Sequence, residues 1–73
     1  MPKEFKRSLT ISGHRTSLSL EPEFWALLKS AAQAEHKSLA ALVAEIDRQR
    51  GGRNLSSALR VWVLNRLTEN QSN

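Results

Sequence analysis

Residues 8–20 alternate polar and apolar positions, the period of two expected of a strand with one buried side. Leu9 and Ile11 fall on odd positions whereas Leu18 and Leu20 fall on even ones, so the buried phase slips near Gly13. A bulge or bend at the glycine is the simplest account of that slip, and it leaves residues 14–20 as the working strand. There Thr16, Leu18 and Leu20 share the buried side, and Arg15, Ser17 and Ser19 point the other way.

Beyond the strand the apolar spacing changes to three and four. Pro22 suits a first helical turn, and Phe24, Leu27, Leu28, Ala31 and Ala32 then mark a helix ending near Glu35-His36. Ser38 reads as the N-cap of a second helix, striped by Leu39, Leu42, Val43 and Ile46 and stopped after Arg50 by Gly51-Gly52. A third helix opens at Asn54 or Ser56. Leu55, Ala58, Leu59, Trp62, Val63 and Leu67 form one face of it, and Val61 and Leu64 widen that face beyond what a monomer's surface helix carries. The pattern predicts one mainly α domain over residues 1–73, with element order β-α-α-α. Residues 1–7 form a basic arm containing Lys3, Lys6 and Arg7, and the polar residues 68–73 are expected to fray.

The length of 73 residues limits the chain to one thin core, and the absence of cysteine excludes a disulfide framework and any thiolate metal site. A lone strand leaves its backbone groups without a ladder partner, and even an isolated hairpin is marginal in water. The single predicted strand therefore points to a homodimer whose two strands pair antiparallel about a two-fold axis. Lys and Arg number 11 against 7 Asp and Glu, a net charge of +4 with a sequence pI of about 10.4, which invites a nucleic-acid reading. The excess is uneven. Lys3, Lys6, Arg7 and Arg15 on the strand side are opposed only by Glu4, while Glu21, Glu23 and Glu35 make the first helix acidic apart from Lys29. No apolar run has the length of a membrane span and the N-terminus lacks the apolar stretch of a secretory signal, so the expected location is the cytoplasm.

A two-stranded ribbon with a polar outer side fits the major groove of duplex DNA. At this point the chain resembles the ribbon-helix-helix family of DNA-binding proteins, the class of the Arc and methionine repressors. The resemblance is carried by the strand Arg15-Thr16-Ser17-Leu18-Ser19-Leu20, the helix opening Glu21-Pro22-Glu23-Phe24-Trp25, and the turn Glu35-His36-Lys37-Ser38 leading into Leu39-Ala40-Ala41-Leu42-Val43-Ala44-Glu45-Ile46. It covers residues 14–50, and the third helix marks the chain as similar to a short bacterial subgroup. The resemblance implies transcriptional regulation by a DNA-bound homodimer, with further assembly on DNA open to it. It places Arg15, Ser17 and Ser19 at base-reading positions, and Ser38 with the backbone at Leu39 at a phosphate-clamping position.

The residues support those roles on their own chemistry. Arg15 suits two parallel bonds to guanine, and serines 17 and 19 either donate or accept. The same three residues also fit the solvated side of any half-buried strand. Ser38 as a helix cap and the free N–H groups behind it also suit a phosphate, and Lys37 adds a cation. Arg48-Gln49-Arg50-Gly51-Gly52-Arg53 reads as a basic helix end with a glycine cap rather than an RNA-binding segment. Trp25 and Trp62 sit at packing positions. His14 and His36 match no metal spacing, no glycine-rich phosphate loop occurs, and no serine has a base beside it, so no enzyme activity, cofactor or metal is expected. Two alternatives remain: a helix-turn-helix reader presenting Ser56, Ser57 and Arg60, and an antitoxin-like or adaptor dimer holding a partner protein on Trp62, Val61 and Leu64.

Overall fold

The computed structural model describes residues 5–71. The chain runs β1 (Phe5–Ile11), β2 (His14–Leu20), α1 (Pro22–Ala34), α2 (Leu39–Gln49) and α3 (Leu55–Gln71). The two strands pair antiparallel with each other, from Ile11 opposite His14 at the turn to Phe5 opposite Leu20 at the open end. The architecture is thus β-β-α-α-α, and the strand at 14–20 finds its ladder partner within its own chain rather than across a two-fold axis.

The phase slip near Gly13 is therefore a chain reversal and not a bulge. Ser12 and Gly13 connect the strands with φ of 53° and 83°, the two positive values that a type I′ hairpin turn requires. Residues opposite one another in an antiparallel pair share a face. A two-residue turn makes every pair one odd and one even position, so Leu9 and Ile11 face the same side as Thr16, Leu18 and Leu20. Lys6 and Arg7 accordingly belong to β1 instead of a loose arm; Lys3 lies outside the described residues. At the other end α3 continues to Gln71, through positions expected to fray.

The helices start and stop for local reasons. Pro22 occupies the first turn of α1, and the Ser38 hydroxyl accepts from the Ala41 N–H at 3.0 Å to cap α2. Asn54 caps α3, its side-chain oxygen accepting from the Ser57 N–H at 2.8 Å. The α1–α2 turn closes with Lys37 N–H donating to the Ala32 carbonyl at 3.0 Å, which sets His36 at the left-handed position, φ 59°. Gly51 takes the corresponding left-handed conformation after α2, at φ 62°.

One core joins all five elements. Ile11, Leu18 and Leu20 contribute from the ribbon, Trp25, Leu28, Ala31 and Ala32 from α1, Leu42, Val43 and Ile46 from α2, and Ala58, Leu59 and Val63 from α3. On α1 the buried stripe is turned from the expected one: Trp25 is buried, Phe24 is half-buried and Leu27 is exposed. No helix among the described residues is long and apolar enough to cross a membrane.

Candidate nucleic-acid interface

The hairpin has one face on the core and one face free. By register the free face joins Lys6 to Ser19, Ser8 to Ser17 and Thr10 to Arg15. All six are polar, and all but the half-buried Ser19 are exposed. The Ser8 and Ser17 hydroxyls stand 3.3 Å apart across the ribbon. Lys6 and Arg15 sit on different strands at opposite ends of the face, with the hydroxyls between them. Arg15, Ser17 and Ser19 are thus brought together, and Lys6, Ser8 and Thr10 complete their surface. Sequence reading missed Ser8 and Thr10 and put Lys6 in an arm. The signal for them was Ser12-Gly13, a turn dipeptide between two alternating runs.

A strand rises about 3.4 Å per residue and neighbouring strands lie about 4.8 Å apart, so this seven-residue ribbon is roughly 24 Å long and one ladder wide. The major groove of B-form DNA is about 12 Å across and admits such a ribbon with its outward side chains. Both flanks of the ribbon carry a helix start. Arg7, Trp25 and Leu39 line one cleft beside β1, and Lys6, Ser17, Ser19, Asn54, Ser56 and Ser57 line another beside β2. The Ser56 hydroxyl donates to the Ser19 carbonyl at 3.3 Å, fixing the α3 start against the ribbon.

Ser38 is exposed at the start of α2 with Leu39 half-buried behind it. Lys37 is otherwise engaged. Its ammonium pairs with Glu45 and lies 3.3 Å from Glu35, which also binds Arg66 at 2.7 Å. The hydrogen bond to Glu45 is the chief reason that the Lys37 pKa is raised, and the Arg66 bond, then Lys37, hold the Glu35 carboxyl below its ordinary value. This network ties the α1–α2 turn to α2 and α3. To reach a phosphate, Lys37 would have to leave two carboxylates.

The residues a helix-turn-helix reader would present are half-buried or paired within the fold. Ser56 and Ser57 are half-buried, and Arg60 pairs with Glu21 at 3.0 Å with its guanidinium 5.8 Å from the centre of the Phe24 ring. Trp25 is buried under the Arg7 guanidinium at 5.3 Å, and the half-buried Trp62 has the Arg66 guanidinium 5.5 Å from its ring centre, so both indoles are engaged within the fold. Arg50 binds the Arg53 carbonyl at 2.8 Å across Gly51-Gly52, which makes that segment a helix cap. Among the described residues three large apolar side chains are exposed, Leu27, Leu64 and Leu67, and they border one groove between α1 and α3 with Phe24, Val61 and Val63.

No curated protein and no solved structure matches the chain. The family model described as the ribbon-helix-helix domain nonetheless covers residues 5–67, and the chain belongs to that family.

Proposed function

We propose that the chain binds duplex DNA sequence-specifically by laying the outer face of its β1–β2 ribbon in the major groove, and that it serves as a cytoplasmic transcriptional regulator in a bacterium. Ribbon-helix-helix domains generally bind DNA, dimerise and typically lack enzymatic activity. The observation that carries the reading is the all-polar face of Lys6, Ser8, Thr10, Arg15, Ser17 and Ser19 on a ribbon of groove width. Arg15 reads guanine, and the serines and Thr10 contact neighbouring base edges. Ser38 and the N–H of Leu39 hold a backbone phosphate. The chain acts as a homodimer through the leucines left exposed on α1 and α3, because its ribbon is already paired within one chain. The partner-protein reading would use Trp62, Val61 and Leu64 of α3, but it leaves the polar ribbon face without a role.

The test is a mobility-shift titration against a selected site. Arg15→Ala should weaken binding by roughly 1–3 kcal/mol, about 5- to 150-fold, and relax base preference at one position. Arg60→Ala, which removes a cation paired within the fold, should change base preference little. The reverse ranking would move the reading surface to α3.

A further inference from the structure

The cation expected beside the α2 start is Lys37, yet Lys37 is neutralised by Glu35 and Glu45. A different cation stands in its place. The shallow cleft against β1 is lined by Arg7, Pro22, Trp25, Ala26, Lys29 and Leu39, with two cations and no carboxylate among them. Lys29 follows Trp25 by one helical turn, so both lie on one side of α1. The Arg7 guanidinium rests over the Trp25 ring at 5.3 Å, which fixes the second cation next to the first. Lys29 is exposed and has no ion pair among the described residues.

We propose that Arg7 and Lys29 together bind a backbone phosphate of the DNA, flanking the ribbon at its β1 edge. The inference rests on the DNA reading above and adds to it a residue, Lys29, that lies on the otherwise acidic first helix. By register Arg7 stands opposite Leu18 on the helix side of the ribbon, yet it is exposed and lines the cleft with residues of α1 and α2, so the cleft lies beside β1 and not on the reading face. A duplex whose major groove holds the ribbon runs its sugar-phosphate backbones along the ribbon's edges. Two neighbouring cations without counter-charge repel each other, and a phosphate placed between them removes that repulsion while losing little hydration to a cleft this open. The guanidinium supplies a fixed fork and the ammonium a mobile point charge, a combination suited to one phosphodiester. Such a contact sets the position of the ribbon and carries no sequence information.

The experiment is fluorescence anisotropy of a labelled random-sequence duplex, titrated with the full chain at a series of salt concentrations. Each phosphate contact contributes about 0.9 to the slope of log affinity against log salt, so Lys29→Gln, which removes one of the two cations sharing that phosphate, should make the slope shallower, by up to about 0.9 per bound chain. At about 0.1 M salt the same contact corresponds to about 8-fold in affinity. Lys29→Arg should keep the wild-type slope, and Lys37→Gln should leave it unchanged. An unchanged slope for Lys29→Gln, or a loss confined to Lys37→Gln, overturns the assignment. If in that case Arg15→Ala still relaxes base preference, the ribbon reading stands and only the phosphate site falls. A wild-type chain with no salt-dependent duplex affinity removes both.

Discussion

Replacing Ser8 and Ser17 together by cysteine should create a disulfide inside one chain. Their hydroxyl oxygens are 3.3 Å apart on the exposed face, so the two substituted side chains meet without displacing any core residue. The chain has no other cysteine, so within one chain only this pair can form. The bond would close a loop of about ten residues, for which the loss of chain entropy in the unfolded state amounts to roughly 2.7 kcal/mol before any strain in the native pair. For a domain of this size 1 kcal/mol moves the melting temperature by about 4–8 °C, so the oxidised double variant should melt roughly 10–20 °C above its reduced form. Mass spectrometry under non-reducing conditions and circular-dichroism melts with and without reductant supply the two readouts. The reasoning is refuted if oxidation instead yields covalent dimers and the single variant Ser17→Cys cross-links as efficiently as the double one. That outcome would mean that residues 14–20 of two chains face each other, as an interchain ribbon demands.

Two further outcomes follow from positions described above. His36→Gly should raise the melting temperature by several degrees, because a side chain at φ 59° carries about 1 kcal/mol of strain that glycine avoids, partly offset by glycine's freedom in the unfolded chain; a lower melting temperature would show that the histidine makes a compensating contact. Leu64→Glu, at a position 59% exposed, should leave helicity and melting nearly unchanged while shifting the sedimenting species toward a single 8.2 kDa chain, and a dimer that persists at micromolar concentration would place the self-association surface elsewhere.

The helices and their limits, the end of α3 apart, were legible in the sequence because their causes are local. Pro22, the Ser38 cap, the left-handed Gly51 and the spacing of Leu42, Val43 and Ile46 act within one or two turns, and the structure places each as its neighbours dictate. The outward set Arg15, Ser17 and Ser19 was legible for the same reason, since alternation along a strand fixes which side chains share a side. Alternation does not say what pairs with the strand. That partner came from β1, and the two-residue turn that makes it possible appears in the sequence as a break in phase. A bulge produces the same break, and only the observed cross-strand register separates the two. The fate of the charges was likewise a tertiary matter. Lys37 lies next to the α2 cap in sequence, but its carboxylate partner Glu45 is a further two helical turns along α2. Arg7 and Lys29 are far apart in sequence and line one cleft only because Trp25 is buried under the ribbon, where the helical pattern had favoured Leu27. Periodicity reports the faces of an element. Which face wins, and which charges are left uncompensated, depends on the elements packed against it, and those contacts are set by the whole chain.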